Sequence, residues 1–137
     1  MRLIRLIYAS TIKADTDPSE LAKIHEVADE KNGLSSISGL LVFGDDYFLQ
    51  ALEGGREAVN ALYHRIMKDP RHTKIVLLEY GDISVRQFED WRMKLVLLTE
   101  KKSQLVKRFS ATEKFNPYEM TAPTALSFLQ HLRTSSP

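Results

Sequence analysis

The chain contains no cysteine, which excludes disulfides, thiol catalysis and cysteine-based zinc sites. It also lacks an excess of one charge: 19 basic against 18 acidic side chains leave a formal net charge of +1. Nothing here resembles the basic stripe of a nucleic-acid binder, so no nucleic-acid partner is expected. Long apolar runs are missing too. The opening stretch MRLIRLIYAS is broken by Arg5 and is too short and too charged for a signal peptide or a membrane span. A cytoplasmic protein without membrane contact is expected. The four histidines show no metal-ligand spacing, so no metal is expected, and no repeat or low-complexity block occurs. The small basic patch of Lys101, Lys102, Lys107 and Arg108 reads as a solvated helix face.

What is present is enough for a folded domain. The 137 residues are 43% hydrophobic, which suffices to bury a core. RLIRLIYAS (2–10) suits a strand, with Ile4, Leu6 and Tyr8 on one face and Leu3, Arg5 and Ile7 on the other. Asp17, Pro18 and Glu20 mark a helix start, Leu21, Ile24, Val27 and Ala28 give it an apolar stripe, and Asn32-Gly33 ends it. SISGLLVF (36–43), the turn Gly44-Asp45-Asp46 and YFLQALEG (47–54) form a hairpin. A second helix is expected over roughly 55–68, with Val59, Leu62, Tyr63, Ile66 and Met67 as its stripe and Pro70 as its stop. Strands follow at 74–83 and 92–98, joined by a connection carrying Phe88 and Trp91. The fifth strand places Met93, Leu95 and Leu97 on one face. Residues 101–109 and 124–132 read as helices, with Pro117 and Pro123 bracketing a loop between them.

This order predicts an α+β fold: a ferredoxin-like βαββαββ arrangement with a mixed five-stranded sheet and two helices on one face. Two C-terminal helices are free to cover the other face. The division falls at a core of 1–100 and a helical extension of 101–137. Leu3, Ile7, Val96 and Leu98 face that extension, and a second subunit is expected where it leaves them uncovered.

One residue does not suit its strand. Gln50 lies between Phe48 and Leu52 on a face that should sit beneath a helix. An amide buried there without partners costs about 1–3 kcal/mol. The expected topology makes the first and third strands neighbours, which brings the Tyr8 phenol within reach of Gln50. Asn32 adds a second amide, Arg65, Asp69, Arg71 and His72 add a polar rim, and Ile24 and Ile66 come one from each helix. The set suits a slot for a flat heterocycle with a polar edge. Glu53, with no second carboxylate or nucleophile beside it in sequence, reads as a strand end.

In these stretches the chain resembles the BLUF family, blue-light sensors that bind FAD. RLIYAS resembles the opening strand with its tyrosine. KNGLSSISGLLVFGDDYFLQALEG resembles the asparagine–glycine–glutamine core. HRIMKDPRHTKI resembles the second helix and its exit, and WRMKLVLL the tryptophan–methionine strand. Lys31 and Arg92 stand where members often carry asparagine and serine. The resemblance implies a non-covalent flavin, FAD with FMN or riboflavin as alternatives. Tyr8 would donate an electron, Gln50 would bridge Tyr8 and the N5/O4 edge, and Asn32 would bond the O4/N3 edge. Ile24 and Ile66 would pack on the ring faces. Phe48, Arg65, Asp69, Arg71 and His72 would complete the cofactor contacts, and Trp91 and Met93 would relay the state of Gln50. It further implies light sensing rather than enzymatic turnover, with a separate effector protein reading the signal. Two other classes compete. An acylphosphatase-like enzyme needs an anion-binding loop after the first strand, and YASTIKADTDPSE lacks the glycines and arginine for one. A structural interaction module would not need Tyr8 or Gln50.

Overall fold

The computed structural model describes residues 2–16, 20, 36–89, 94–99 and 102–135. Five strands form one sheet: β1 (Leu3–Ile12), β2 (Ser38–Gly44), β3 (Tyr47–Gly55), β4 (His72–Asp82) and β5 (Lys94–Leu97). Their order is β4-β1-β3-β2-β5. Every pairing is antiparallel except β2 with β5, which makes the sheet mixed, as predicted.

Among the described residues, α1 (Arg56–Lys68) covers one face. The predicted helix after the first strand falls outside the described residues, apart from Glu20. The opposite face carries α2 (Ser103–Phe109), a 3-10 turn (Pro117–Glu119) and α3 (Ala122–Ser135).

Alternation along the strands sorts the core into two layers. Ile4, Leu6, Tyr8, Leu41, Phe48 and Leu52 face α1, where Val59 and Leu62 meet them. Ile7, Leu40, Val42, Leu49 and Ala51 face the C-terminal layer, together with Phe115, Phe128, Leu129 and Leu132. Ile7 and Val96 are buried there, so at these two positions the chain covers its own sheet without a second subunit. α1 ends as its sequence suggests: Asp69 leaves the helical conformation, its N–H bonds the Ile66 carbonyl, and Pro70 follows. Met67 departs from the expected stripe and is exposed, while Ile66 beside it packs against the cluster under α1. Leu97, on the edge strand β5, is exposed, while Leu95 packs on the α1 side.

The β2–β3 hairpin turns on Asp45 and Asp46, both with positive φ (51° and 70°), as a two-residue hairpin of the I′ kind requires. Gly44 belongs to the strand instead of the turn. Its lack of a side chain serves a close approach, because a Cβ there would stand 2.9 Å from the Leu98 Cβ. β4 begins at His72, two residues earlier than predicted. Pro123 lies inside the first turn of α3, where a missing N–H costs nothing.

Where β4 meets β1, the register slips twice. Leu78 is an extra residue between the pairs Ile7–Glu79 and Tyr8–Leu77, and a second irregularity brings Lys74 into positive φ (51°). Such bulges bend a strand and re-aim the side chains beside them. Tyr118, from the 3-10 turn, donates its hydroxyl to the Lys74 carbonyl at 2.9 Å and lies 2.6 Å from Thr11 Oγ1, which ties the C-terminal layer to this kink.

Candidate functional site

Tyr8 and Gln50 stand directly opposite each other across β1 and β3, on the α1 face. Both are buried, and the Tyr8 hydroxyl donates to Gln50 Oε1. Burial pushes the Tyr8 phenol well above its usual value, and the nearby Tyr63 and Asp69 push it the same way. The phenol is therefore a proton donor at any ordinary pH, so the carbonyl end of the amide faces it. The misfit seen in the strand thus has a partner supplied by topology.

Around this pair the same face gathers aromatic and polar groups. The Tyr63 ring on α1 lies 5.7 Å from the Tyr8 ring. Phe48 is buried two residues before Gln50, its ring 4.7 Å from the His72 imidazole. His72 is itself buried, 6.3 Å from the Tyr8 ring and edge-on to it, with Nδ1 at 2.9 Å from Ser10 Oγ. Ile66 is half-buried against the same cluster.

Asp69 and Arg71 form the rim. The Asp69 carboxylate accepts the Arg71 N–H at 2.9 Å and is gripped by the guanidinium at 2.9, 3.1 and 2.7 Å. The backbone turn that this bond closes aims His72 into the core. Burial pushes the Asp69 carboxyl up, but the hydrogen bonds and charge of Arg71 outweigh it and hold the group below its usual value. Arg71 also reaches Glu20 at 3.3 Å, outside the first strand. Asp69 therefore pairs with Arg71 rather than with Arg65, as an i, i+4 pair would have it; Arg65 is exposed on α1.

The structure thus brings Tyr8, Phe48, Gln50, Ile66, Asp69, Arg71 and His72 to one side of the sheet. Ile24, Asn32, Trp91 and Met93 lie outside the described residues. Ser10 and Tyr63 belong to the site but were not singled out from sequence. Ser10 had a signal: period-2 counting from Tyr8 puts it on the buried face, a polar residue in an apolar row as Gln50 is.

Burial lowers the His72 pKa from 6.5 to about 4; Arg71 acts with it and Asp69 against it. Between those values the unfolded chain binds a proton that the folded protein does not, so stability rises with pH across that window. The unfolding free energy of the flavin-free protein is expected to fall by up to about 3 kcal/mol between neutral pH and pH near 4. His72→Gln should remove that slope, as read by urea titration of both proteins across the window. Equal pH slopes in the two would show that His72 is not the titrating group.

The chain is similar to known proteins in sequence and in fold. The model of the BLUF family, "Sensors of blue light using FAD", matches residues 3–94. The photoactivated adenylate cyclase subunit beta of Euglena gracilis is 35% identical over 94 residues, covering 67% of this chain and 11% of that protein. The blue light- and temperature-regulated antirepressor BluF of Escherichia coli K12 is 36% identical over 93 residues, covering 68% of this chain and 23% of that one. The chain thus spans only a fraction of these curated relatives. Two solved structures match along almost their whole length. The photo-activated state of BlsA superposes with a TM-score of 0.86 at 31% identity, covering 95% of this chain and 94% of that one. The dark state of BlrB superposes with a TM-score of 0.83 at 25% identity, covering 99% and 98%.

Proposed function

The chain belongs to the BLUF family of blue-light sensors, and from that premise we propose that Tyr8 and Gln50 are its photochemical pair, with FAD as the flavin on the α1 face of the sheet. The observation that carries this reading is the buried hydrogen bond from the Tyr8 hydroxyl to Gln50 Oε1. The residues fit the group. An apolar floor of Phe48 and Ile66 suits a ring system, the Gln50 amide suits a ring edge of alternating donors and acceptors, and Arg71 offers a guanidinium for a carbonyl or phosphate oxygen. A buried neutral His72 adds no charge beside them. Asn32, Ile24 and Arg65 complete the proposed contacts.

A bound flavin supplies the blue-light absorption and an electron acceptor in its excited state. The protein supplies the rest. An oxidised phenol is a strong acid, so loss of an electron from Tyr8 sends its proton along the existing hydrogen bond to Gln50 Oε1. A protonated amide can rotate or change tautomer, and when the electron comes back to Tyr8 together with a proton, the donor and acceptor ends of Gln50 have exchanged roles. The ends are nearly the same shape, so the core accommodates either arrangement without repacking. The rearranged amide presents a new donor to the ring edge, which shifts the absorption to the red.

Trp91 and Met93 are the proposed readers of the amide, and a separate effector protein the reader of the domain. Self-association belongs to the same proposal: Val76, Leu77 and Tyr80 on β4 are apolar and exposed, and size measurement in dark and light tests it. The decisive experiment is a light-minus-dark absorption spectrum of the protein purified with FAD, FMN or riboflavin. A yellow protein whose main band moves to the red under blue light is expected. Protein that stays colourless in excess flavin would refute the reading.

A further inference from the structure

A second buried polar cluster lies on the other face of β3. Glu53, three residues after Gln50, is fully buried on the C-terminal side of the sheet. As the sequence suggests, it stands near the end of β3, where it is paired with both Arg5 and Ser38 in the ladder. Its carboxylate accepts two backbone N–H groups of the β4–β5 connection. Oε1 takes Gln87 N–H and Phe88 N–H, each at 2.9 Å, and Oε2 takes Gln87 N–H at 3.1 Å. Arg5 lies beside it, its Nη1 3.3 Å from Oε2, and its Nε donates to Glu79 at 2.7 Å. Backbone N–H groups turned into a core need an acceptor, and an ionised one makes the stronger bonds.

The clamped segment is also fastened to the C-terminal layer. The Phe88 side chain is buried in the core that α3 completes. Gln87 Oε1 accepts from Gln130 Nε2 of α3 at 3.1 Å. A few residues further along the chain come Trp91 and Met93. One segment of backbone therefore touches β3, α3 and, by sequence, the proposed readers of Gln50.

We infer that Glu53 is a positioning residue for signal output, holding residues 87–88 as the joint through which light-driven rearrangement at Gln50 reaches α3 by way of the Gln87–Gln130 bond. The inference rests on the photoreceptor reading above. Glu53 touches neither the flavin nor the reacting atoms. It fixes one end of the connection, so that displacement further along is delivered to α3 instead of being absorbed by a slack loop.

The test uses the full chain with flavin bound, as wild type, Glu53→Gln, Gln130→Leu and Gln130→Glu. Two readouts are taken: the light-induced red shift, and amide hydrogen exchange across residues 122–135 in dark and in light. Wild type should show both, with exchange in α3 changing by about threefold or more on illumination. Glu53→Gln keeps the volume but turns an amide NH2 toward Arg5. Gln130→Leu removes the bond at a half-buried position of α3 and puts an apolar side chain of similar size there. Both should keep the red shift and lose the light-dependent change in α3. Gln130→Glu should restore it, because the Gln87 amide can turn and donate. The inference is overturned if α3 exchange in wild type ignores light, or if Gln130→Leu responds as wild type does. Absence of the red shift in wild type would overturn the photoreceptor reading itself.

Discussion

Tyr8→Phe should remain yellow when purified with flavin and show no light-induced red shift. The ring is retained, so the packing of Tyr8 against Tyr63 and the cluster under α1 is retained. What goes is the hydroxyl that donates to Gln50 Oε1. A phenylalanine ring has no proton to give and is far harder to oxidise, so neither electron nor proton can leave this position. The shift should vanish rather than diminish. Stability should fall by about 1–3 kcal/mol, the cost of a buried acceptor that loses its donor. Gln50→Leu gives the complementary result: Tyr8 keeps its proton donor but has no amide to hand the proton to. Difference spectra of both variants beside wild type decide the matter. A normal red shift in either would remove that residue from the photochemistry.

Phe128→Ala should be the most damaging single truncation in the C-terminal layer. Phe128 is fully buried on α3, stacked on Phe115 at 5.8 Å and edge-on to Phe109 at 5.6 Å. It thus joins all three pieces of the layer: α2, the segment before the 3-10 turn, and α3. Removing a buried phenylalanine of this kind costs about 3–5 kcal/mol through lost burial and the cavity left behind. Aromatic pairs add to what area alone provides. Urea unfolding of the variant against wild type measures the loss. Because Phe128 lies on the opposite side of the sheet from Gln50, the absorption band of bound flavin should not move. A loss under about 1 kcal/mol would mean that the layer collapses around the gap or contributes little.

These two residues also mark what a sequence can and cannot disclose. Period-2 counting put Tyr8 and Gln50 on the same kind of face, and topology did the rest, because strand parity survives any detail of packing. The same counting separated Ile7 from Leu6. Spacing cannot tell how far the cover over a face extends: Met67 of the helix stripe and Leu97 on the face shared with Leu95 are both exposed. The rim was legible as a set of polar residues but not in its pairing: Asp69 sits past the helix end, and its carboxylate closes a turn onto Arg71. Glu53 was illegible because its partners are backbone N–H groups more than thirty residues away. No side-chain pattern announces an acceptor for main chain.

The kink at Lys74 has a bearing on solution behaviour. β4 is an edge strand of eleven residues with apolar side chains exposed at Val76 and Leu77, which is the form of a template for runaway strand addition. A residue with positive φ breaks the straight row of amides that an incoming strand would need, and it places a lysine at the break. Tyr118 holds that break in place from the far end of the chain. A copy approaching this edge therefore meets an interrupted row of backbone groups at the start of β4, so an incoming strand cannot pair along its whole length without bending.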